Sequence, residues 1–242
     1  MSNRTSGILK HVIVAAMLLS PTVGWGELCA QVGHTPESSP YRSLRATKWL
    51  SLVGGYLSGP AGSAGVGPTD GPLAGLQASI KMGGPADAFL DLSVARLKRT
   101  LIHRDSVPET RAIGTADQTL LFADVGANLL LTGQKTWHGL IPYVGGNLGL
   151  VFGSDVKQDS SGFRFAIHFH TGPQVGIRLH PSDRISLRVE ARDAIWRLSY
   201  PLAFLEAPGP DIPPVLDPQI HDESEWIHHL VLTFGLAFAL GS

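Results

Sequence analysis

Cysteine, net charge and long apolar runs are all scarce in this sequence, and each shortage excludes a class of protein. The chain has one cysteine, so no disulfide within it can hold the fold. It has 19 basic and 20 acidic side chains and no basic run, so nothing indicates a nucleic-acid partner. Beyond the N-terminus, no apolar run reaches the roughly 18 residues of a transmembrane helix. The length of 242 residues suits one all-β domain.

The N-terminus has the pattern of a secretory signal peptide over residues 1–30. Arg4 and Lys10 come first, a short apolar run follows, and small residues precede Ala30. A basic start, a short apolar segment and a small residue at the cleavage point are typical of export signals. We therefore predict export and cleavage after Ala30, followed by a flexible, proline-containing periplasmic lead-in over 31–45.

The stretch from 230 to 240 alternates strictly between large apolar and small side chains. Alternation with a period of two predicts a β-strand that has one apolar face. A strand of about 9–11 such residues can cross a membrane within a closed barrel, but a buried strand of a soluble β-sandwich has the same pattern. In the barrel interpretation, the lipid-facing residues of this strand are Leu232, Phe234, Leu236 and Phe238.

Seven further segments show a similar alternation, so the sequence predicts eight strands. The apolar face falls on even positions in some strands and on odd positions in others, because each turn resets it. The predicted strands cover residues 47–57, 73–82, 87–98, 118–131, 138–152, 163–180, 184–198 and 226–240.

The connections between these strands alternate between long and short, which a soluble sandwich or lipocalin has no reason to do. Short turns on one side and long loops on the other are typical of outer-membrane barrels, with the short turns periplasmic. The fold class that follows is all-β, an eight-stranded antiparallel up-and-down transmembrane β-barrel over 46–242. The predicted long loops are 58–72, 99–117, 153–162 and the acidic, proline-rich 200–225.

The interior of an eight-stranded barrel is just wide enough to be filled by side chains. The alternation places polar side chains of both signs there, and buried charges are tolerable when they are paired and hydrogen-bonded. We expect Arg188, Glu190 and Arg192 to form a paired plug within a larger network. The predicted network consists of Asp91, Asp124, Arg178, Arg188, Glu190 and Arg192, with Lys81, Asn128, Asn147, Arg164 and His168 also pointing inward.

Aromatic side chains fall near both ends of the predicted strands, where outer-membrane barrels carry girdles of such residues. We predict that Trp49 and Trp137 lie at the periplasmic interface. The residues predicted at the outer interface are Tyr56, Trp196, Tyr200 and Trp226.

Two segments, Pro142–Phe152 and Arg184–Asp193, resemble strands of the small OmpA/OmpX-type outer-membrane β-barrel proteins. The resemblance is one of pattern and covers about residues 46–242. It implies a place in the outer membrane of a Gram-negative cell envelope, contact with the membrane lipid, and insertion by the barrel-assembly machinery. Members of the family usually end on an aromatic residue that this machinery recognises. Here Phe238 is followed by four more residues, so the end of the chain departs from that pattern.

Three functions are compatible with such a barrel, and the first is the one we predict. It is a structural or surface-interaction role, without enzyme activity or cofactor, in which the long loops meet a surface partner. The second is a narrow channel for ions or small solutes, which the charged interior would obstruct. The third is a lipid hydrolase, for which His168, His170 and Glu190 face inward but no serine stands beside them. His228 and His229 point to opposite faces, which argues against a shared metal ion.

Leu236→Arg tests the assignment of faces on the last strand. If Leu236 faces lipid near the bilayer midplane, the arginine enters hydrocarbon and should lower the free energy of unfolding by about 2–4 kcal/mol. In the matched variant Gly235→Arg, the arginine would enter the interior and overpack it. Urea unfolding in lipid vesicles measures both effects. A Leu236→Arg barrel as stable as the parent would mean that the two faces are assigned the wrong way round.

Overall fold

The computed structural model describes residues 39–240. The predicted signal peptide, its cleavage point and residues 31–38 of the predicted lead-in lie outside the described residues. No helix in the described part is long and apolar enough to cross a membrane. Within residues 39–240, two short 3-10 helices cover Pro108–Thr110 and Leu202–Phe204. The strands are β1 Tyr41–Ser43, β2 Lys48–Ser58, β3 Gly71–Lys81, β4 Ala86–Ile102, β5 Ala112–Leu130, β6 Lys135–Trp137, β7 Leu140–Gly153, β8 Ile167–Leu179, β9 Ile185–Ser199 and β10 Ser224–Ala239.

Eight of these strands form a closed antiparallel barrel. The order around the ring is β2-β3-β4-β5-β7-β8-β9-β10, and β10 pairs with β2 to close it. The closing register runs from Leu230 opposite Ser58 to Ala239 opposite Trp49. Each of these eight strands therefore has a hydrogen-bonded neighbour on both sides. The prediction of an all-β, eight-stranded barrel is confirmed.

The connections alternate in length around most of the ring, but the one between β4 and β5 is no longer than the one between β5 and β7, because this predicted loop is mostly strand. The sequence placed a loop over 99–117, whereas β4 continues to Ile102 and β5 begins at Ala112. The outward apolar residues of β4 end at Val94, yet its backbone pairing with β5 continues to Ile102. The outward side chains beyond Val94 are polar and include Arg96, which forms an ion pair with Asp117 at 2.8 Å. Hydropathy thus marks the end of the apolar band rather than the end of the strand.

The sixth predicted strand starts too early, and this error changes the direction of three side chains. β8 begins at Ile167 rather than at residue 163. Phe163 and Phe165, predicted on the outward face, are 2% and 1% exposed because the segment before β8 folds into the apolar core at the loop end. Arg164, predicted to point inward, is exposed.

Two three-residue strands that the sequence did not predict lie at the turn end of the barrel. β1 pairs with β6, with Tyr41 opposite Trp137. β6 leads into β7 through His138 and Gly139, whose φ angles of 50° and 82° fit a two-residue hairpin turn. Residues 41–43, which the sequence assigned to a flexible lead-in, therefore form a strand.

The outward face carries exposed apolar side chains on all eight barrel strands. On β10, Leu232, Phe234 and Phe238 are 52%, 54% and 45% exposed, and Leu236 is partly exposed. The alternate residues Val231, Thr233 and Ala237 are buried. A continuous apolar surface of this kind requires an apolar environment or a partner.

Three of the predicted interfacial aromatics point inward instead of outward. The outward residues of β2 are even-numbered and those of β9 are odd-numbered, so Trp49 and Trp196 have the parity of the interior. The alternation of the strand therefore overrides the preference of these rings for an interface. Tyr56, Trp137 and Trp226 are 52%, 48% and 60% exposed, whereas Trp49, Trp196 and Tyr200 are 6%, 0% and 7% exposed.

Candidate functional site in the barrel interior and outer mouth

The barrel interior is polar over its middle and apolar towards the long loops. Along β9 the inward side chains change from Arg188, Glu190 and Arg192 to the uncharged Ala194, Trp196 and Leu198, and all six are buried. At the opposite end, Trp49 packs with Ala46 and Ala237. Side chains thus occupy the interior at the turn end, in the middle and at the loop end.

Asp124 is the centre of the upper polar layer, which is the layer of polar interior side chains nearer the long loops. Its side chain is fully buried, and Arg192 Nη1 donates a hydrogen bond to its Oδ2 at 2.8 Å. His170 Nε2 lies 2.5 Å from Oδ1, without the alignment of a hydrogen bond. The His170 ring also meets the edge of Phe122 at a centroid distance of 5.4 Å. One carboxylate therefore binds Arg192 of β9 and contacts His170 of β8, and neither strand is its neighbour in the sheet.

A second polar cluster surrounds Asp87 nearer the turn end. Arg178 donates to Asp87 Oδ2, and Asn128 Nδ2 donates to Oδ1 at 2.9 Å. Gln174 Nε2 then donates to Asn128 Oδ1 at 2.6 Å. The Arg178 guanidinium also lies over the ring of Tyr143, 4.7 Å from its centroid. Four strands are connected through this cluster.

Glu190 is bonded to a tyrosine rather than to the arginines beside it in the sequence. The Tyr143 hydroxyl donates to Glu190 Oε2 at 2.7 Å, while Arg188 Nη1 is 3.8 Å from the same oxygen. Arg188 donates instead to Gln77 Oε1. Within the expected plug, Arg188 and Glu190 thus remain at ion-pair distance, while the hydrogen bonds of Arg188, Glu190 and Arg192 go to side chains of other strands.

Inward glycines create the space that these side chains occupy. A Cβ on Gly149 would lie 2.1 Å from Asp124 Oδ1, and a Cβ on Gly176 would lie 2.4 Å from the Tyr143 hydroxyl oxygen. Both distances are well inside van der Waals contact. Glycine on one strand thus permits a large polar residue on its neighbour, which lets a narrow barrel hold a charged interior.

The residues predicted for the interior take different places. Asp91 is buried and accepts a hydrogen bond from Ser93 Oγ at 3.0 Å. Lys81 is at the turn end, where its Nζ donates to the Leu44 carbonyl at 3.0 Å. The interior also contains Asp87, Gln77, Tyr143 and Gln174, which were not predicted there, although the parity of all four within their strands points inward.

The histidines of the described residues have separate partners. His170 lies against Asp124 rather than Glu190, and His168 packs on Phe165 at a centroid distance of 4.6 Å. His228 points outward to Asp193, whereas His229 is buried and stacks on Trp196 at 4.2 Å. Within 39–240, no group of three or more His, Cys, Asp or Glu residues could hold a metal ion.

The mouth at the long-loop end is closed by loop residues that join the apolar part of the interior. Val66, Phe163, Phe204 and Leu216 come from three different loops, and each is no more than 2% exposed. They pack in one cluster with inward strand residues such as Trp196. The long loops therefore contribute to the core of the barrel instead of leaving its mouth open.

Glu225 connects two of these loops at the mouth. Its carboxylate accepts hydrogen bonds from Ser63 N at 2.5 Å and Ser63 Oγ at 2.8 Å, and also from the Tyr200 hydroxyl. Burial alone would raise the pKa of Glu225, but the hydrogen bonds from Tyr200 and Ser63, with the nearby His221, hold this pKa below its ordinary value. The ionised carboxylate is therefore the form that joins the loops.

Arg111 forms a second connection between loops. Its Nη2 donates to the Pro213 carbonyl at 2.7 Å, and its Nη1 donates to the Pro214 carbonyl at 3.2 Å. In the loop before β8, Asp159 pairs with the buried Arg99 of β4. All four long loops are thus attached to the barrel or to one another.

Comparison with known structures identifies the architecture. The crystal structure of Neisserial surface protein A matches with a TM-score of 0.52 and 12% identity, over 80% of this chain and 97% of that chain. That neighbour is an eight-stranded outer-membrane barrel. The chain has the fold of the small outer-membrane β-barrels. The resemblance noted in the sequence is thereby confirmed at the level of fold.

Two further solved barrels align with most of this chain. The N-terminal barrel domain of Pseudomonas aeruginosa OprF has a TM-score of 0.40 and 14% identity, over 78% of this chain and 98% of that chain. Yersinia pestis Ail has a TM-score of 0.35 and 11% identity, over 79% of this chain and 99% of that chain. Neither a family model nor a curated protein matches the sequence.

Asp124→Ala tests the upper polar layer. The change leaves Arg192 buried without its carboxylate partner, which should lower the free energy of unfolding by about 3–5 kcal/mol. The double variant Asp124→Ala/Arg192→Ala should lose less than the sum of the two single variants, because the two side chains share one interaction. Urea unfolding in lipid vesicles provides the measurement.

The matched control for this cycle is Asp117→Ala, which breaks the outward pair with Arg96. Those side chains are 49% and 70% exposed, so solvent screening should limit the loss to about 1 kcal/mol or less. If Asp124→Ala were no more destabilising than Asp117→Ala, the buried pair would have no special role in stability.

Glu225 should make the closure of the mouth dependent on pH. Because its pKa is lowered by folding, its stabilising effect is complete above the ordinary value of 4.5 and is lost as the pH falls through the lower folded value. Protease cleavage of the loops 59–70 and 200–223 should therefore increase as the pH is lowered below about 4.5. Glu225→Gln is the control and should remove this acid-dependent step. An identical acid response in Glu225→Gln would assign the transition to another group.

Proposed function

We propose that this protein is exported to the outer membrane of a Gram-negative bacterium and spans it as a rigid, filled barrel. The apolar side chains on the outside of all eight strands support contact with hydrocarbon. Ring closure supports the same environment, because unpaired backbone groups in lipid cost several kcal/mol each. By analogy with other outer-membrane barrels, the short turns face the periplasm and the long loops face the outside.

The filled interior is the observation that carries the functional part of the proposal. Charged residues such as Asp124 and Arg192 obstruct the middle of the barrel, and the loop-covered cluster around Trp196 obstructs its outer end. A barrel of this kind serves as a scaffold that presents surface loops and is poorly suited to conduct solutes. A structural or surface-interaction role therefore fits better than a channel.

Three kinds of partner follow from this role. Membrane lipid contacts the outward band, including Leu232, Phe234, Leu236 and Phe238. The barrel-assembly machinery inserts the chain, with β10 closing on β2 as the last strand in sequence. The loops supply the surface for a partner outside the cell. The name of the Neisserial neighbour describes a surface protein, in keeping with this arrangement.

Cell fractionation tests the location. The full chain, expressed with its own N-terminus in a Gram-negative host, should be recovered with outer membranes. The unboiled protein should migrate differently from the boiled protein in SDS gels, because a closed barrel resists the detergent. Recovery as a soluble periplasmic protein without this shift would contradict the proposal.

Planar-bilayer recording tests the filled interior. The refolded barrel should give no stable conductance steps, whereas a wide porin measured in the same membrane should conduct. An acyl-release assay on outer-membrane lipid, run beside it, should detect no turnover above the lipid blank. Reproducible unitary conductance would favour the narrow channel, and turnover lost in His170→Ala would favour the hydrolase.

A further inference from the structure

A polar cavity lies at the outer mouth, between the end of β4 and the loop that precedes β8. Its volume is about 380 Å³, within the range of small-molecule sites. Most of its lining comes from residues 154–165. The charged side chains that line it are Arg99, Asp155, Lys157, Asp159 and Arg164.

Arg99 and Asp159 form the rigid part of this cavity. Their side chains are 1% and 3% exposed and are paired with each other. The guanidinium lies over the ring of Phe163, 4.4 Å from its centroid, and Nη2 is 3.4 Å from the Phe163 carbonyl oxygen. Arg99 Nε is buried and has no hydrogen-bond acceptor in the described part of the chain. A preformed wall therefore retains one unused donor.

Lys157 and Arg164 are the free cations of the cavity. Both side chains are exposed, and neither has an ion pair or side-chain hydrogen bond within residues 39–240. Asp159 is neutralised by Arg99, so Asp155 is the remaining unpaired carboxylate in the lining. Two free cations against one free anion make the cavity attractive to a negatively charged group.

The two charge types suit different parts of one ligand. Arginine and lysine side chains bind phosphate oxygens through charge-assisted hydrogen bonds. An unpaired carboxylate repels a phosphate but accepts hydrogen bonds from hydroxyl groups, which a sugar supplies in number. Asp155, with the Ser160 hydroxyl that also lines the cavity, can take that part of the ligand.

We propose that this cavity binds a phosphorylated sugar from the aqueous side, with Lys157 and Arg164 on the phosphate and Asp155 on the sugar hydroxyls. The proposal rests on the proposed function only in placing this end of the barrel outside the cell. The lining contains no residue of the outward apolar band, which favours a soluble ligand over a lipid headgroup.

Calorimetric titration of the refolded barrel in detergent micelles tests this site, with glucose 6-phosphate, glucose and inorganic phosphate as probes. Glucose 6-phosphate should bind more tightly than either glucose or phosphate alone. The double variant Lys157→Gln/Arg164→Gln should weaken its binding by at least about tenfold, because charged hydrogen bonds are lost. Lys98→Gln is the matched control. It removes an exposed cation at the same end of the barrel that does not line the cavity.

Asp155→Asn distinguishes the two halves of the site. It should weaken binding of glucose 6-phosphate and leave binding of inorganic phosphate unchanged or stronger, because a repelling carboxylate is removed. Equal binding of phosphate and glucose 6-phosphate to the parent would overturn the sugar half of the proposal. Binding of phosphatidic acid in mixed micelles without binding of glucose 6-phosphate would overturn the proposal that the ligand is a soluble sugar phosphate.

Checks on the folded state of each variant distinguish a failure of this proposal from a failure of the proposed function. Each variant is first checked for the boiled-versus-unboiled gel shift and for the absence of conductance. A parent barrel that shows the shift and does not conduct, yet binds no glucose 6-phosphate at millimolar concentration, overturns the cavity proposal alone. Unchanged binding in Lys157→Gln/Arg164→Gln has the same consequence.

Discussion

Hydrogen bonding of the backbone is the constraint on which the rest of this structure depends. A sheet whose outer face is apolar on every strand cannot leave an unpaired edge in a membrane, because lipid offers no partner for N–H and C=O groups. The pairing of β10 with β2 removes that edge, from Leu230 opposite Ser58 to Ala239 opposite Trp49. Closure then determines which side chains face outward and which must be accommodated in a narrow interior.

The interior of the barrel is filled in two ways, by paired charges in the middle and by apolar side chains towards the long loops. In the middle, Asp87 and Asp124 each bind an arginine from the other side of the ring, and inward glycines such as Gly149 leave room for them. Towards the loops the filling becomes apolar, with Trp196 at its centre. The change coincides with the region where loop side chains enter the mouth, since these can exclude water there.

The loops are attached to the barrel rather than free above it. Glu225, Arg111 and the Arg99–Asp159 pair each connect segments distant in sequence, so the outer surface is a continuation of the folded core. Such an outer surface can present a defined site, and the cavity beside Arg99 has the preformed wall that a site needs. Of these connections, the one at Glu225 uses a carboxylate whose pKa is held below its ordinary value by hydrogen bonds from Tyr200 and Ser63.

The sequence by itself determined the eight strands of the barrel, apart from some of their ends, and the faces of the residues within them. A period of two is a local property, so Leu232 and Phe234 could be assigned to the outside and Arg192 to the inside without knowledge of the fold. The same parity places Trp49 and Trp196 inside. Their prediction at the membrane interface was wrong because it relied on the usual preference of aromatic rings instead of on this parity. The partners were decided only by the tertiary structure. Glu190 meets Tyr143 and Asp124 meets Arg192 across the ring because register and closure bring distant strands together. Phe163 and Phe165 are buried because a loop folds into the mouth of the barrel. Neither the contacts across the ring nor the folding of this loop leaves a periodic signal in the sequence.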